Sequence, residues 1–192
     1  MEEGKRVKIV FLDVDGVLNS SRSVLARTGA RYNESYAKLE NLYAEDSNLP
    51  FGVKHTLETI DPVAVSLVNR LIKESGAVLV LSTSHRLMFA DRNITCESKQ
   101  HMYLLGLYFA AMGIEAPIHS ITPRMGTNRG TEVKQWLDES DQQVTHYVIL
   151  DDARDFHSLQ PLIWCDPHIG FSHTNYFAAS KELGLAETSL IY

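Results

Sequence analysis

Two aspartates, Asp13 and Asp15, are the residues of this sequence best suited to chemistry. They follow a mostly apolar run over residues 7–12, and Gly16 comes directly after them. Alternate residues of a strand share a face, so both carboxylates would point the same way at the strand's carboxyl end. Open α/β sheets bind ligands at that edge, and two like charges this close are unfavourable without a cation between them. The pair therefore predicts a site for a ligand or for a divalent metal such as Mg²⁺.

Polar residues also follow two later apolar runs. Ser82 and Thr83 come after the run over 77–81, and Asp151 and Asp152 come after the run over 146–150. Parallel strands bring their carboxyl ends to one edge of a sheet, so these residues should lie close to the first pair of aspartates. Carboxylates and hydroxyls gathered in this way suit phosphoryl transfer.

The elements that must position these groups alternate between strand and helix. This alternation predicts an α/β fold with a mainly parallel sheet. The apolar pattern predicts strands near 8–13, 77–81, 118–121, 146–150 and 161–165, and helices over about 62–75, 87–112 and 131–139. For the first helix, Asp61 is the expected N-cap, Pro62 the first helical residue and Gly76 the terminator.

The segment 19–58 is too long for a simple connection. It is predicted to be a small, partly helical cap insertion within a single domain spanning 1–192, lying over the carboxyl edge of the sheet. Its aromatic and basic side chains would suit stacking and phosphate pairing with a nucleotide or a nucleic-acid end. These side chains are Tyr32, Tyr36, Tyr43, Arg22, Arg27 and Arg31.

The composition is that of an ordinary globular protein, with 44% hydrophobic and 22% charged residues. A formal net charge of −6 argues against general adhesion to nucleic acid. The sequence has neither an apolar run long enough for a membrane span nor an N-terminal secretory signal. Cys96 and Cys165 lack metal-site spacing, which favours a reducing cytoplasmic location.

The motifs resemble those of the haloacid-dehalogenase-like (HAD) phosphatase superfamily. The segment from Phe11 to Leu18 resembles the first motif of that superfamily. The apolar run followed by Ser82-Thr83 resembles its second motif, and the run followed by Asp151-Asp152 resembles its fourth. The resemblance implies a Rossmann-like three-layer α/β/α fold with strand order 5-4-1-2-3.

A closer resemblance is to small HAD domains associated with RNA-repair proteins. Three segments carry it: Leu-Ser-Thr-Ser-His-Arg over 81–86, Arg-Gly-Thr-Glu over 129–132 before Trp136-Leu137, and 165–171. His85 stands where those domains have tryptophan, and Phe171 where they have leucine.

The resemblance implies a role for each acidic residue. Asp13 would attack phosphorus and form an aspartyl-phosphate, and Asp15 would act as general acid and then general base. Asp13, the backbone carbonyl of Asp15, and one or both of Asp151 and Asp152 would hold Mg²⁺. Asp152 is favoured as the direct ligand and Asp151 as its support.

Phosphate would be bound by hydroxyl and cationic groups. Ser82 or Thr83 would supply the hydroxyl, and Arg129, or as second choice Lys134, the third-motif cation. Arg86 is a further candidate for a second substrate phosphate.

The sequence thus predicts a Mg²⁺-dependent phosphatase acting on a nucleotide or a nucleic-acid terminal phosphate. The alternatives are a phosphatase or phosphomutase of small metabolites and a non-catalytic binding or regulatory domain on the same fold. No membrane partner is expected, and the oligomeric state is left open.

Overall fold

The computed structural model describes residues 6–29, 33–43, 49–90 and 94–186. Five strands form one sheet: β1 (Arg6–Leu12), β2 (Val78–Leu81), β3 (Ile118–Ile121), β4 (Gln143–Asp151) and β5 (Leu162–Trp164). Their spatial order is β3-β2-β1-β4-β5, and every neighbouring pair is parallel. The predicted α/β class and strand order are therefore confirmed.

Seven α-helices accompany the sheet in the described residues. They are α1 (Ser21–Ala26), α2 (Glu34–Tyr43), α3 (Phe51–Thr59), α4 (Pro62–Ser75), α5 (Lys99–Ala111), α6 (Arg129–Glu139) and α7 (His173–Glu182). Helix α4 begins and ends as predicted, because the Asp61 side chain accepts from Val63 N and Gly76 adopts a left-handed conformation. None of the helices in the described ranges is both long enough and apolar enough to cross a membrane.

The helix predicted over 87–112 is wrong in its first half. A short 3-10 turn occupies Ser84–Leu87, and α5 begins only at Lys99. The Ser98 side chain caps α5 by accepting from His101 N, and Glu97 has a left-handed φ of 66°, which no helix tolerates. Local capping chemistry therefore outweighs the apolar periodicity that extends before it.

The core lies on both faces of the sheet, as a three-layer fold requires. Ile9 and Phe11 of β1 pack on one face with Val133 of α6, and both are fully buried. The alternate residues Val10 and Leu12 pack on the other face, in the cluster that includes α4, α5 and α7. The second half of β1, residues 9–12, is buried on both faces and is a continuous apolar run, which is typical of a central parallel strand.

The predicted insertion contains α1, α2 and α3, so it is largely helical. Its two ends meet in an antiparallel bridge between Asn19 and Ile60, and Asp61 N donates to Leu18 O over 2.8 Å. Helix α2 packs against α5. The bridge and this packing fix the segment beside the carboxyl edge of β1.

Candidate active site

The ends of the three central strands are joined by backbone hydrogen bonds. Asp13 N donates to Leu150 O over 3.0 Å, and Ser82 N donates to Leu12 O over 2.9 Å. The register therefore places Asp13 between Ser82 on one side and Asp151 on the other. The three strand ends therefore lie side by side at one edge of the sheet, as the strand pattern predicts.

Asp13, Asp151 and Asp152 form a compact acidic cluster. Each offers a carboxylate oxygen, and these atoms all lie within 4.8 Å of one another. Burial raises the pKa of Asp13 and of Asp152, and burial together with the nearby Asp13 raises the pKa of Asp151 to about 7. The charged forms are therefore disfavoured unless positive charge is added.

Gly16 makes room for this cluster. Its φ is +72°, and a Cβ at this position would lie 2.4 Å from Oδ2 of Asp152 and 2.7 Å from its Cβ. The chain turns here with Gly16 N donating to Asn19 Oδ1 over 2.9 Å. Only glycine combines this conformation with so close an approach to the Asp152 side chain.

Arg129 brings a cation into the cluster. Its Nη1 lies 2.6 Å from Asp13 Oδ2 and 2.6 Å from Asp151 Oδ2, and it donates to Ser82 O over 3.1 Å. Burial works to lower the pKa of this guanidinium, but the two carboxylates outweigh burial and raise it. Arg129 is therefore a permanent positive charge between the two strand ends.

The start of α6 holds Arg129 in place. The helix begins two residues earlier than predicted because the Asn128 side chain accepts from Thr131 N over 2.8 Å. Arg129 N donates to Asp155 Oδ2 over 3.1 Å. A Cβ on Gly130 would lie 2.8 Å from His157 N, so glycine lets the helix start approach the loop after β4.

The other two cationic candidates have different partners. Lys134 Nζ pairs with Asp138 Oδ2 at 2.5 Å on an exposed face of α6. Arg86 is buried, and its Nη2 lies 2.6 Å from Glu132 Oε2 while its Nη1 donates to Thr83 O. Of the three, Arg129 is the one that contacts the acidic cluster.

The two candidate hydroxyls differ in what they bond. Thr83 is the N-cap of the 3-10 turn, where its Oγ1 accepts from His85 N, and it also hydrogen-bonds Asp13. Ser82 is equally buried, yet its Oγ has no hydrogen-bond partner among the residues that the structure describes. A buried hydroxyl without a partner is costly, which favours a bound group opposite Ser82.

Asp15 points to a different set of partners. Its Oδ1 accepts from Asn19 Nδ2 over 3.0 Å, and its Oδ2 lies 3.0 Å from His85 Nε2. The hydrogen bond with His85 is the main cause that lowers the pKa of Asp15. The side chain remains 60% exposed, so it is open to a bound substrate.

His85, which stands where the related domains have tryptophan, lies inside the protein. Its ring is buried, with Nδ1 2.9 Å from the hydroxyl of Tyr108 on α5. The pair lies 23 positions apart in sequence, and His85 and Asp15 lie 70 apart. No local pattern marks such a contact.

The aromatic and basic residues of the insertion take varied positions. Tyr36 is buried in the main hydrophobic core and its hydroxyl donates to Glu40. Arg22 pairs with Asp61 at the neck of the insertion. Arg31 and Tyr32 lie outside the described residues, as does the side chain of Tyr43.

The donor set fits a hard divalent cation such as Mg²⁺. The cluster offers three carboxylates against one guanidinium, and oxygen ligands are those that Mg²⁺ prefers. Both oxygens of Asp151 are engaged, since Oδ1 accepts from Ala153 N and Oδ2 from Arg129. Asp13 is engaged in the same way, because its Oδ1 accepts from Val14 N over 2.8 Å and its Oδ2 lies 2.6 Å from Arg129 Nη1.

Comparison with known proteins agrees with this geometry. No curated protein and no solved structure matches the chain significantly. Residues 9–176 match the family model described as the HAD domain in Swiss Army Knife RNA repair proteins. The match includes the three strand ends and the start of α6, so the chain belongs to this family of HAD domains.

Proposed function

We propose that this chain is a Mg²⁺-dependent phosphatase that hydrolyses phosphate monoesters through an aspartyl-phosphate on Asp13. The observation that carries the proposal is the set of groups around Asp13. This buried carboxylate has Arg129 on one side, and the hydroxyl of Ser82, unpartnered in the described residues, lies at the next strand end. A nucleophile, a cation and a hydrogen-bond donor thus meet at one point.

The charges explain why each group is needed. A phosphate monoester is a dianion, which repels the carboxylate that must attack it. Arg129 offsets part of that repulsion, and the Ser82 hydroxyl is available to donate to a phosphoryl oxygen. Thr83 is less suited to this task because its side chain already caps the 3-10 turn.

Mg²⁺ would be held by Asp13, the backbone carbonyl of Asp15 and Asp152, with Asp151 as support. The ion would add positive charge beside the phosphoryl oxygens. Asp151 contributes indirectly, because its contact with Arg129 keeps that guanidinium beside Asp13.

The reaction has two steps. An Asp13 oxygen forms a bond to phosphorus while the bond to the leaving oxygen breaks, and protonated Asp15 gives its proton to that oxygen. Asp15 then takes a proton from water as the water oxygen bonds to phosphorus. The bond between phosphorus and Asp13 breaks, which releases inorganic phosphate and restores both aspartates.

The family supports the proposed substrate class. HAD domains in RNA-repair proteins suggest a terminal phosphate on a nucleic acid or a nucleotide as the substrate. The net charge of −6 favours contact with a strand end over contact with a long polyanionic tract.

Phosphate release tests the proposal directly. The chain is assayed on 3′-phosphorylated oligonucleotides, mononucleotides and sugar phosphates, with Mg²⁺ or with a chelator. We expect turnover only with metal and near-complete loss in Asp13→Asn, with Lys134→Met as a control that retains activity. Preference for a sugar phosphate would favour a metabolite phosphatase. Absence of metal-dependent release from every substrate would contradict a catalytic role.

A further inference from the structure

A chain of hydrogen bonds leads from Asp15 into the interior of the protein. Asp15 Oδ2 contacts His85 Nε2 at 3.0 Å, and His85 Nδ1 contacts the Tyr108 hydroxyl at 2.9 Å. Tyr108 in turn hydrogen-bonds the side chain of Thr56, on α3 of the insertion. His85, Tyr108 and Thr56 are all buried, whereas Asp15 is largely exposed. The chain therefore links an exposed carboxylate to a rigid interior.

The partners fix the direction of each bond. An ionised carboxylate only accepts hydrogen bonds, so His85 Nε2 must carry a proton and donate it to Asp15. A neutral ring with its proton on Nε2 accepts at Nδ1 from the Tyr108 hydroxyl. Burial raises the pKa of Tyr108, so that hydroxyl keeps its proton and remains a donor. Tyr108 thus holds the imidazole in the tautomer that Asp15 requires.

We propose that His85 is a positioning residue that fixes the carboxylate of Asp15 toward the phosphoryl site. This inference rests on the proposed function, because it assigns His85 to the proton transfers of Asp15. Asn19 holds Oδ1 and His85 holds Oδ2, so together they set the plane of the carboxylate. Each oxygen keeps a second lone pair for the proton it exchanges.

The burial of His85 explains why it matters more than an exposed partner would. The Asp15 side chain is 60% exposed, and without a fixed partner it would sample several rotamers in water. The His85 ring also stacks on Tyr108, with ring centroids 6.0 Å apart and planes inclined by 13°. The position of Asp15 is therefore set by packed aromatic groups.

The proposal predicts dependence on the leaving group. Phenol needs a proton when it leaves, because its pKa is close to that of tyrosine, about 10. 4-Nitrophenolate is a far weaker base than phenolate, so it leaves as the anion without a proton. Since kcat/KM reports the step in which the leaving group departs, loss of His85 should affect phenyl phosphate and spare 4-nitrophenyl phosphate. The value of kcat should fall for both substrates where attack by water is limiting.

Two variants separate the two contacts of the ring. In His85→Gln the amide nitrogen stands as far from Cβ as Nε2 does, so it reaches Asp15. In His85→Asn the amide reaches only the Tyr108 side. We expect His85→Asn to lower kcat/KM for phenyl phosphate by about 10- to 100-fold. His85→Gln should recover most of this loss.

The outcomes distinguish this inference from the proposed function. If the wild type turns over both esters, Asp13→Asn turns over neither and His85→Asn matches the wild type on phenyl phosphate, the inference fails and the function stands. Equal losses of kcat/KM on the two esters would likewise overturn the inference, because they would indicate a structural role.

A second measurement needs no turnover. The imidazole ¹⁵N shifts of the metal-free chain, recorded where the ring is neutral, should show a proton on Nε2 of His85. Tyr108→Phe should increase the share of the other tautomer. A proton found on Nδ1 in the wild type would overturn the inference, whatever the activity.

Discussion

Gly16→Ala should disrupt the metal site through a contact that the structure specifies. The added Cβ would lie 2.4 Å from Asp152 Oδ2, 2.5 Å from its Cγ and 2.7 Å from its Cβ. Rotation of the carboxylate alone cannot relieve a clash that reaches the Asp152 Cβ. The Asp152 side chain or the backbone at residue 16 must therefore shift, which changes the position of the Asp152 carboxylate relative to Asp13 and Asp151.

Two energetic effects add in this variant. An alanine at φ +72° costs about 1–2 kcal/mol of stability, and overpacking adds about 1–3 kcal/mol. Gly76→Ala is the matched control, because Gly76 has a φ of +65° but a Cβ there would meet nothing within 4 Å. The control should therefore show the backbone cost alone.

The assay is calorimetric titration of the full chain with Mg²⁺, together with urea unfolding of both variants. Gly16→Ala should weaken Mg²⁺ binding at least about tenfold, because changes to groups around metal ligands typically have effects of this size. Gly76→Ala should bind Mg²⁺ like the wild type. Asp152→Asn should give the same metal defect without the backbone cost, which covers the case in which Gly16→Ala does not fold. Wild-type affinity in Gly16→Ala would refute the reasoning.

Three further predictions concern single groups. Ser82→Ala should slow turnover by about 100-fold, measured as kcat/KM, yet change urea stability by less than about 0.5 kcal/mol, because the lost hydroxyl has no partner in the described structure. Arg86→Met should cost about 3–5 kcal/mol in urea unfolding, because it leaves the buried Glu132 unpaired, whereas Lys134→Met breaks an exposed pair at a cost below about 1 kcal/mol. In chelator, the wild type should lose stability as pH rises from about 4 to about 7, and Asp151→Asn should reduce that loss.

The sign of the pH effect follows from the raised pKa of Asp151, which burial brings to about 7. Between about pH 4 and 7 the folded state keeps a proton that the unfolded chain has released, so unfolding becomes easier as the pH rises. A decline of equal steepness in Asp151→Asn would contradict this explanation. For the other two predictions, the contrary results are unchanged turnover in Ser82→Ala and a small cost in Arg86→Met.

The sequence pattern was sufficient to predict the strand ends, and the family resemblance supplied the strand order. Asp13, Ser82 and Asp151 each follow an apolar run, and parallel pairing necessarily brings such residues to one edge. Mg²⁺ as cofactor and the aspartyl-phosphate remain predictions that the experiments above address.

Contacts between distant residues could not be predicted in this way. The choice between Arg129 and Lys134 depends on where α6 begins, which the Asn128 cap decides. The partner of Arg86 lies 46 positions away in Glu132, and the partner of His85 lies on another helix. These pairs form only when the folded elements pack together, so the periodicity of apolar residues in the sequence does not indicate them.

Helix α7 was also absent from the sequence prediction. Its signal is a capping box in which Ser172 and Asn175 each bond the other's backbone N–H. The helix has weak apolar periodicity, with Tyr176 and Ala179 among its buried residues. A search for caps as well as for apolar stripes would have found it.

The central claim is that Asp13 itself carries the phosphoryl group during turnover. The most direct test mixes the chain with substrate and Mg²⁺, quenches in acid within the first turnover, and maps the phosphorylated residue by mass spectrometry. The mechanism predicts one phosphoryl group on Asp13, absent in Asp13→Asn and accumulating in Asp15→Asn with a good leaving group. Phosphate release with no label on Asp13, or with the label on another residue, would contradict it.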